Sequence, residues 1–242
     1  MTWDDLALIG FGPEGWGMAL LQAAWMTVAV SALAFVGGSM LGTLSAWAKT
    51  AGNRPLRWLA EGYTILLRGI PDLLVIYLFY FGGRQVAAAA ARAMGFDGPV
   101  DISGFLAGVL AIALISGAGQ GEVLRGAYHA IPRGELEAAK VVGMGRWLMF
   151  RRIIFPQALR TALPGMGNQW QSVIKESALV SVTGLVETMR QVNIAAGSTE
   201  LPFFFFGVGL CIYLAITSVS GLLFRAAEAW SMRGQPAARA RG

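Results

Sequence analysis

Asn168, Gln171, Ser172 and Lys175 recur at offsets of three, four and seven residues. They lie within Pro-Gly-Met-Gly-Asn-Gln-Trp-Gln-Ser-Val-Ile-Lys-Glu-Ser-Ala-Leu, residues 164–179. On a helix that spacing makes one stripe. Its amides, hydroxyl and ammonium can exchange hydrogen bonds with a polar solute or line an aqueous path. The other reading is that they satisfy one another inside a helix bundle. A charged side chain at a bilayer centre costs about 3 kcal/mol on insertion scales. Lys175 and Glu176 must therefore pair, reach water or sit near an interface. Bond-breaking chemistry has little to draw on. His129 is the single histidine and Cys211 the single cysteine, so no metal set, no intrachain disulfide and no catalytic residues are expected.

A second set of residues reads as mechanical. From Glu122 to Pro156 the chain carries dense charged and helix-breaking punctuation between apolar runs. Pro132 and Gly134 precede a short helical segment, Glu135 to Val142, in which Leu136, Ala139 and Val142 are spaced to share a face. Gly143 and Gly145 end it, since glycine tolerates the left-handed turn of a helix stop. Arg146 to Ile154 restarts as a second short helix, and Pro156 opens the next apolar span. Two short amphipathic helices joined by a glycine turn make a knob suited to a groove in another protein.

Glu137-Ala138-Ala139, then Gly143, then Ile153-Ile154-Phe155-Pro156 resembles the EAA loop of ABC importer permeases, with Phe155 an apolar departure from the usual Ile-x-Leu-Pro ending. The resemblance implies that Glu137, Ala138, Ala139, Gly143 and Arg146 couple the chain to a cytoplasmic ATPase. Arg68-Gly69-Ile70-Pro71-Asp72-Leu73 resembles the polar amino-acid permeases, in the variant typical of subunits for histidine, other basic amino acids and opines. Locally, Arg68, Gly69, Pro71 and Asp72 form a helix break: proline disfavours α geometry in the residue before it, and Asp72 suits a helix N-terminus. Residues 122–128, 162–168 and 175–182 extend the resemblance to about residues 20–230. Many relatives place a glutamate after Gly-Asn, where this chain has Gln169. The resemblance thereby implies that Gln169 stands on the substrate path, and that a second, homologous permease supplies acidic contacts. A heterodimer is favoured over a homodimer.

The elements that must position these residues are membrane helices. Of 242 residues 55% are hydrophobic and only 14% charged, with mean hydropathy +0.57, well below the roughly 25% charge of a soluble domain. Runs of about 20 apolar residues recur. The expected fold is all-α and multi-pass, with spans beginning near Gly17, Asp72, Ile102, Phe155 and Phe203. Residues 55–70 read as a short mixed helix, and residues 92–101 as an external loop. Leu185 to Pro202, with Glu187, Arg190, Asn193 and Glu200, reads as a polar hairpin-like return. Gly38 and Gly42 form a small-xxx-small pair for close helix contact. Gly37-x-x-x-x-Gly42-Thr43 brushes a phosphate-loop pattern but lacks the lysine, so nucleotide binding is rejected there. Lys and Arg cluster on the side of Lys49, Arg54, Arg57, Arg125, Arg133 and Lys140, against only Arg84, Arg92 and Arg190 on the other. Five spans with the amino terminus outside and the carboxyl terminus cytoplasmic satisfy the positive-inside rule. The segments are then an external 1–16, a permease domain 17–228 containing the loop 130–156, and a basic tail 229–242. The start lacks the positive region of a signal peptide, and the +5 charge points to membrane topology rather than nucleic acid.

The resemblance implies the type I ABC importer fold in a bacterial cytoplasmic (inner) membrane. It also implies two ABC ATPase subunits, a second permease, an external or periplasmic solute-binding protein and an amino-acid substrate. No cofactor is expected in this chain, because ATP and Mg belong to the partner ATPase. A secondary transporter or channel would show an internal repeat and mid-span coupling carboxylates, and neither is seen. A membrane enzyme would need a catalytic set.

Overall fold

Gly38 and Gly42 let two long helices meet at backbone distance. A β-carbon on Gly42 would lie 2.8 Å from the Gly121 nitrogen and 3.1 Å from the Gly117 oxygen; one on Gly38 would lie 2.9 Å from Ser116 Oγ. The helices are α1, Gly17–Ala51, and α5, Gly104–His129. The computed structural model describes residues 7–13, 15–96 and 103–232. The basic tail from 233 onward and part of both the external segment and the 92–101 loop lie outside the described residues.

All the regular structure described is helical. After α1 come α2 (Arg54–Gly69), α3 (Asp72–Tyr77) and α4 (Gly83–Ala93), the last two joined by a π-helical turn at Leu78–Gly82. Beyond α5 lie α6 (Arg133–Val141) and α7 (Arg146–Met149), then a π-helical turn, Phe150–Ile154, that runs directly into α8, Phe155–Ser177. A 3-10 segment, Ala178–Thr183, leads to α9 (Thr188–Thr199) and α10 (Pro202–Ser231). Among the described residues four stretches are long and apolar enough to cross a membrane: α1, residues 72–93, α5 and α10. The 23-residue α8 would reach about 35 Å at 1.5 Å per residue, yet it is not among them. The five expected spans are thus met by length and apolarity in four, with α8 too polar to qualify.

α5 is the central helix. In its most apolar stretch 61% of residues are buried, against 33% in α1 and 17% in α10. Small residues make that possible, since in lipid helices associate by close van der Waals contact rather than by exclusion of water. Val30 and Ala34 of α1 meet Val75 and Ile76 of α3, Ala111, Ile112 and Ile115 of α5, and Val173 and Val180. A second cluster joins Leu20 to Val192, Ala195, Ala196 and Phe205.

The segment 185–202, expected as a hairpin-like return, holds the helix α9 between short turns. Glu187 caps α9, accepting from the Met189 and Arg190 amides at 2.9 and 2.8 Å. Its fully buried carboxylate also accepts from the Tyr213 hydroxyl of α10 at 3.0 Å. The Thr27 hydroxyl of α1 lies 2.7 Å from that of Thr188 and accepts from its amide at 3.1 Å. This polar knot ties α1, α9 and α10 together. Glu200 then takes a left-handed conformation, φ 59°, to turn the chain into α10.

Arg68 and Gly69 end α2, Ile70 is extended, and Pro71 caps a helix whose first residue is Asp72, as the dipeptide chemistry requires. α10 continues through Ser231 and so carries Arg225 within the helix, past the expected domain boundary at residue 228.

Candidate functional site

α8 meets α10 across glycines. Gly167 approaches Phe224, where a β-carbon would lie 3.3 Å from the ring, and the Phe35, Trp170 and Phe224 rings pack edge-to-face or tilted at 5.4–6.4 Å. Beside this aromatic support the two helices leave a groove of about 330 Å³. From α8 it is lined by Pro164, Gly167, Asn168 and Gln171; from α10 by Thr217, Ser218, Gly221, Phe224, Arg225 and Glu228. Asn168 and Gln171 are exposed, with amides free to exchange hydrogen bonds. The Thr217 hydroxyl donates to the Tyr213 carbonyl at 2.8 Å, which leaves its oxygen able to accept. Arg225 and Glu228, one helical turn apart, bring both signs of charge to one wall.

The expected path residues separate in space. Asn168 and Gln171 line the groove; Ser172 and Lys175 continue the same α8 stripe beyond it, with Lys175 exposed. Gln169 does not line it. Its amide is turned onto α5, so close that a β-carbon on Gly119 would fall 2.4 Å from Oε1. Glu176 is partly buried, and its Oε2 has no hydrogen-bond partner among the described residues. The α10 wall was missed in the sequence because that helix reads as apolar. The usable signal was Thr217, Ser218, Gly221, Arg225 and Glu228 at helical intervals on one face.

The knob is built by the glycine turn. Gly143 has φ +78°, its amide bonds to the Lys140 carbonyl, and the Met144 amide bonds to the Ala139 carbonyl at 3.0 Å. Ala139 is buried at 4% exposure beneath the turn, while Glu137, Ala138, Gly143 and Arg146 are exposed. Val142 departs from expectation. The helix stops one residue earlier, and Val142 is 75% exposed rather than sharing the buried face of Ala139. Val141 at 86% and Trp147 at 73% are likewise exposed apolar residues of the knob. The expected second short helix, Arg146 to Ile154, is not a separate element: α7 passes through the π-helical turn Phe150–Ile154 directly into α8, which begins at Phe155. The knob is therefore joined to Asn168 and Gln171 by uninterrupted helix.

Behind the knob, Glu122 of α5 is held by Lys49 of α1 at 2.5 Å and by Arg125 at 2.6 Å, and Lys49 also donates to Thr64 of α2 at 2.7 Å. This set joins three helices at the end of α5 that leads into the knob.

Residues 38–229 match the family model described as "Binding-protein-dependent transport system inner membrane component". The octopine transport system permease protein of Rhizobium meliloti is 54% identical over 229 residues, covering 95% of this chain and 97% of that protein. The histidine/lysine/arginine/ornithine transport system permease of Escherichia coli is 40% identical, covering 87% and 92%. The crystal structure of an amino acid ABC transporter with histidines superposes with a TM-score of 0.78 at 30% identity, over 95% of this chain and 100% of that one.

Proposed function

Because this chain belongs to the family of binding-protein-dependent transport system inner membrane components, we propose that it carries opines or basic amino acids through the groove between α8 and α10. It is a multi-pass permease component of a bacterial inner-membrane ABC importer and is not itself an enzyme. The importer complex includes an ATPase and a binding protein.

The solute class rests on one observation, the 54% identity to an octopine permease across 95% of the chain. The groove is chemically suited to it. A zwitterionic solute needs a cation for its carboxylates, an anion for its ammonium or guanidinium, and neutral hydrogen-bonding groups between them. Arg225, Glu228, Asn168 and Gln171 offer these on facing helices. Ser172 and Lys175 prolong the α8 side, and Gln169 supports it from behind by its contact with α5.

In this reading the chain crosses the membrane five times, α8 being the fourth crossing in chain order. α8 is tolerated despite its polarity because its polar stripe faces the path. The amino terminus is outside and the knob and carboxyl terminus are cytoplasmic, as the distribution of Lys and Arg favours. A second, homologous permease completes the path, and two ATPase subunits, holding ATP and Mg, seat on the knobs. The exposed Val141, Val142 and Trp147 suit an apolar socket in that partner. Closure of the ATPases draws the knobs together and tilts α8 through the helix that joins them.

Reconstitution with the ATPase, partner permease and binding protein tests this directly. ATP-dependent uptake of octopine, arginine or histidine that competes with unlabelled ligand supports the proposal. ATP-dependent uptake confined to other solute classes rejects it.

A further inference from the structure

A second cleft, of about 570 Å³, opens between α1, α2 and α5 at the end of the molecule that bears the knob. The polar face of α2 contributes Arg57, Glu61, Thr64 and Arg68, at offsets of four, seven and eleven residues. Lys49 closes it from α1, and Glu122, Arg125 and His129 from α5. Four cations face two carboxylates, so the lining carries a net +2 with His129 neutral. Glu122 is already satisfied by Lys49 and Arg125. Arg57 and Arg68 have no ion-pair partner among the described residues, and they stand on opposite ends of the α2 wall.

The rim of this cleft is apolar. Ile65 lines it and is itself 74% exposed, and the outer face of α2 continues with Leu66 at 60%, Leu59 at 71% and Trp58 at 76%. A soluble anion has no use for that strip. A molecule with a phosphate at one end and hydrocarbon at the other fits both parts, and tryptophan is favoured at the headgroup level of a bilayer. Basic pockets between membrane helices are a recurrent way of holding anionic headgroups.

We propose that this cleft seats an anionic phospholipid of the knob-side leaflet, its headgroup within the basic lining that Arg57 and Arg68 bound at either end and its acyl chains over Ile65, Leu66 and Trp58. The bound lipid would wedge α2 against the Lys49–Glu122–Arg125 set and so brace the base of α5, from which the knob projects. The inference depends on the chain lying in a membrane, and on neither the solute carried nor the direction in which the termini face.

The test uses the assembled transporter purified in detergent, with lipid retention read by native mass spectrometry. Phosphatidylglycerol should be retained in preference to phosphatidylcholine. R57Q/R68Q should weaken retention about 25-fold, from about fivefold for each basic residue near a lipid surface. R57K/R68K should keep most of it, and R54Q, outside the cleft, all of it. Equal retention by R57Q/R68Q and wild type overturns the proposal, as does equal loss in R54Q, which would mark a general attraction of basic residues. Millimolar inorganic phosphate that displaces the lipid and stabilises the protein equally would assign the cleft to a soluble anion instead. If R57Q/R68Q fails to assemble, thermal stabilisation of the wild-type complex by phosphatidylglycerol over phosphatidylcholine decides, and no difference overturns the idea.

Discussion

The side-chain amide of Gln169 fills the space that a β-carbon on Gly119 would need, 2.4 Å from Oε1. The position next to Asn168 is thereby committed to packing α8 on α5, while Asn168 itself faces the groove. Gly119→Ala should expel the amide at a cost of about 1 kcal/mol, because the displaced atom is the far end of a flexible side chain. Thermal denaturation of the complex should register that loss. Gln169→Ala should lower stability similarly and leave the apparent uptake affinity nearly unchanged. A large affinity change in Gln169→Ala would place its amide in contact with solute after all.

Asn168→Leu and Gln171→Leu each remove a hydrogen-bonding group from the groove and leave α8 helical. At about 1 kcal/mol per hydrogen bond, solute uptake should fall roughly fivefold in each. Size-exclusion profiles of the complex should not change. Undiminished uptake in both variants would show that solute takes another route.

Gly143, at φ +78°, adopts a conformation closed to proline, whose ring holds φ near −65°. Gly143→Pro should distort the knob while the protein still inserts. ATP hydrolysis should then lose its dependence on liganded binding protein, and uptake should cease. Charge reversal at the exposed Glu137 should act in the same direction. Normal uptake with normal stimulation in both would remove the knob from the coupling path.

Glu187→Ala deprives two α9 amides and the Tyr213 hydroxyl of their acceptor at a fully buried position. The lost cap costs about 1 kcal/mol, and the stranded hydroxyl about 1–3 kcal/mol more. Thermal stability should drop clearly. Glu187→Gln, which keeps an acceptor at the cap, should lie between the variant and wild type.

Glu122→Ala leaves Lys49, with a side chain only 8% exposed, without its carboxylate. Stranding one partner of a buried ion pair costs about 3–5 kcal/mol. Lys49→Met in the same chain should recover much of that loss, because the uncompensated charge is gone. A double-mutant cycle on thermal stability measures the interaction, and simple additivity of the two losses would mean that Lys49 finds water or another partner.

Much of this protein is legible in its sequence. The helix stop at Gly143, the restart at Arg146 and the break from Arg68 to Asp72 depend on glycine and proline stereochemistry, which acts over two or three residues. The close approach of α1 and α5 was written into Gly38 and Gly42 for the same reason, since a missing side chain has one consequence wherever it is packed. α9 was not legible. Its buried face is Thr188, Gln191, Val192 and Ala195, a helical repeat of mostly small and polar residues with little hydropathy signal, and it is fixed only when Thr27 of α1 meets Thr188 and Tyr213 of α10 meets the capping Glu187.

From its own order of residues the chain determines where helices start, stop and become too polar to meet lipid on every side. Those outcomes are set by local dihedral limits and by the cost of burying an unpaired charge. Only the folded arrangement decides that Asn168 faces a groove while Gln169 turns away to Gly119, and that Arg225 and Glu228 stand on the opposite wall. Adjacent side chains on a helix diverge by about 100°, and which direction is inside depends on neighbours brought together from far along the chain.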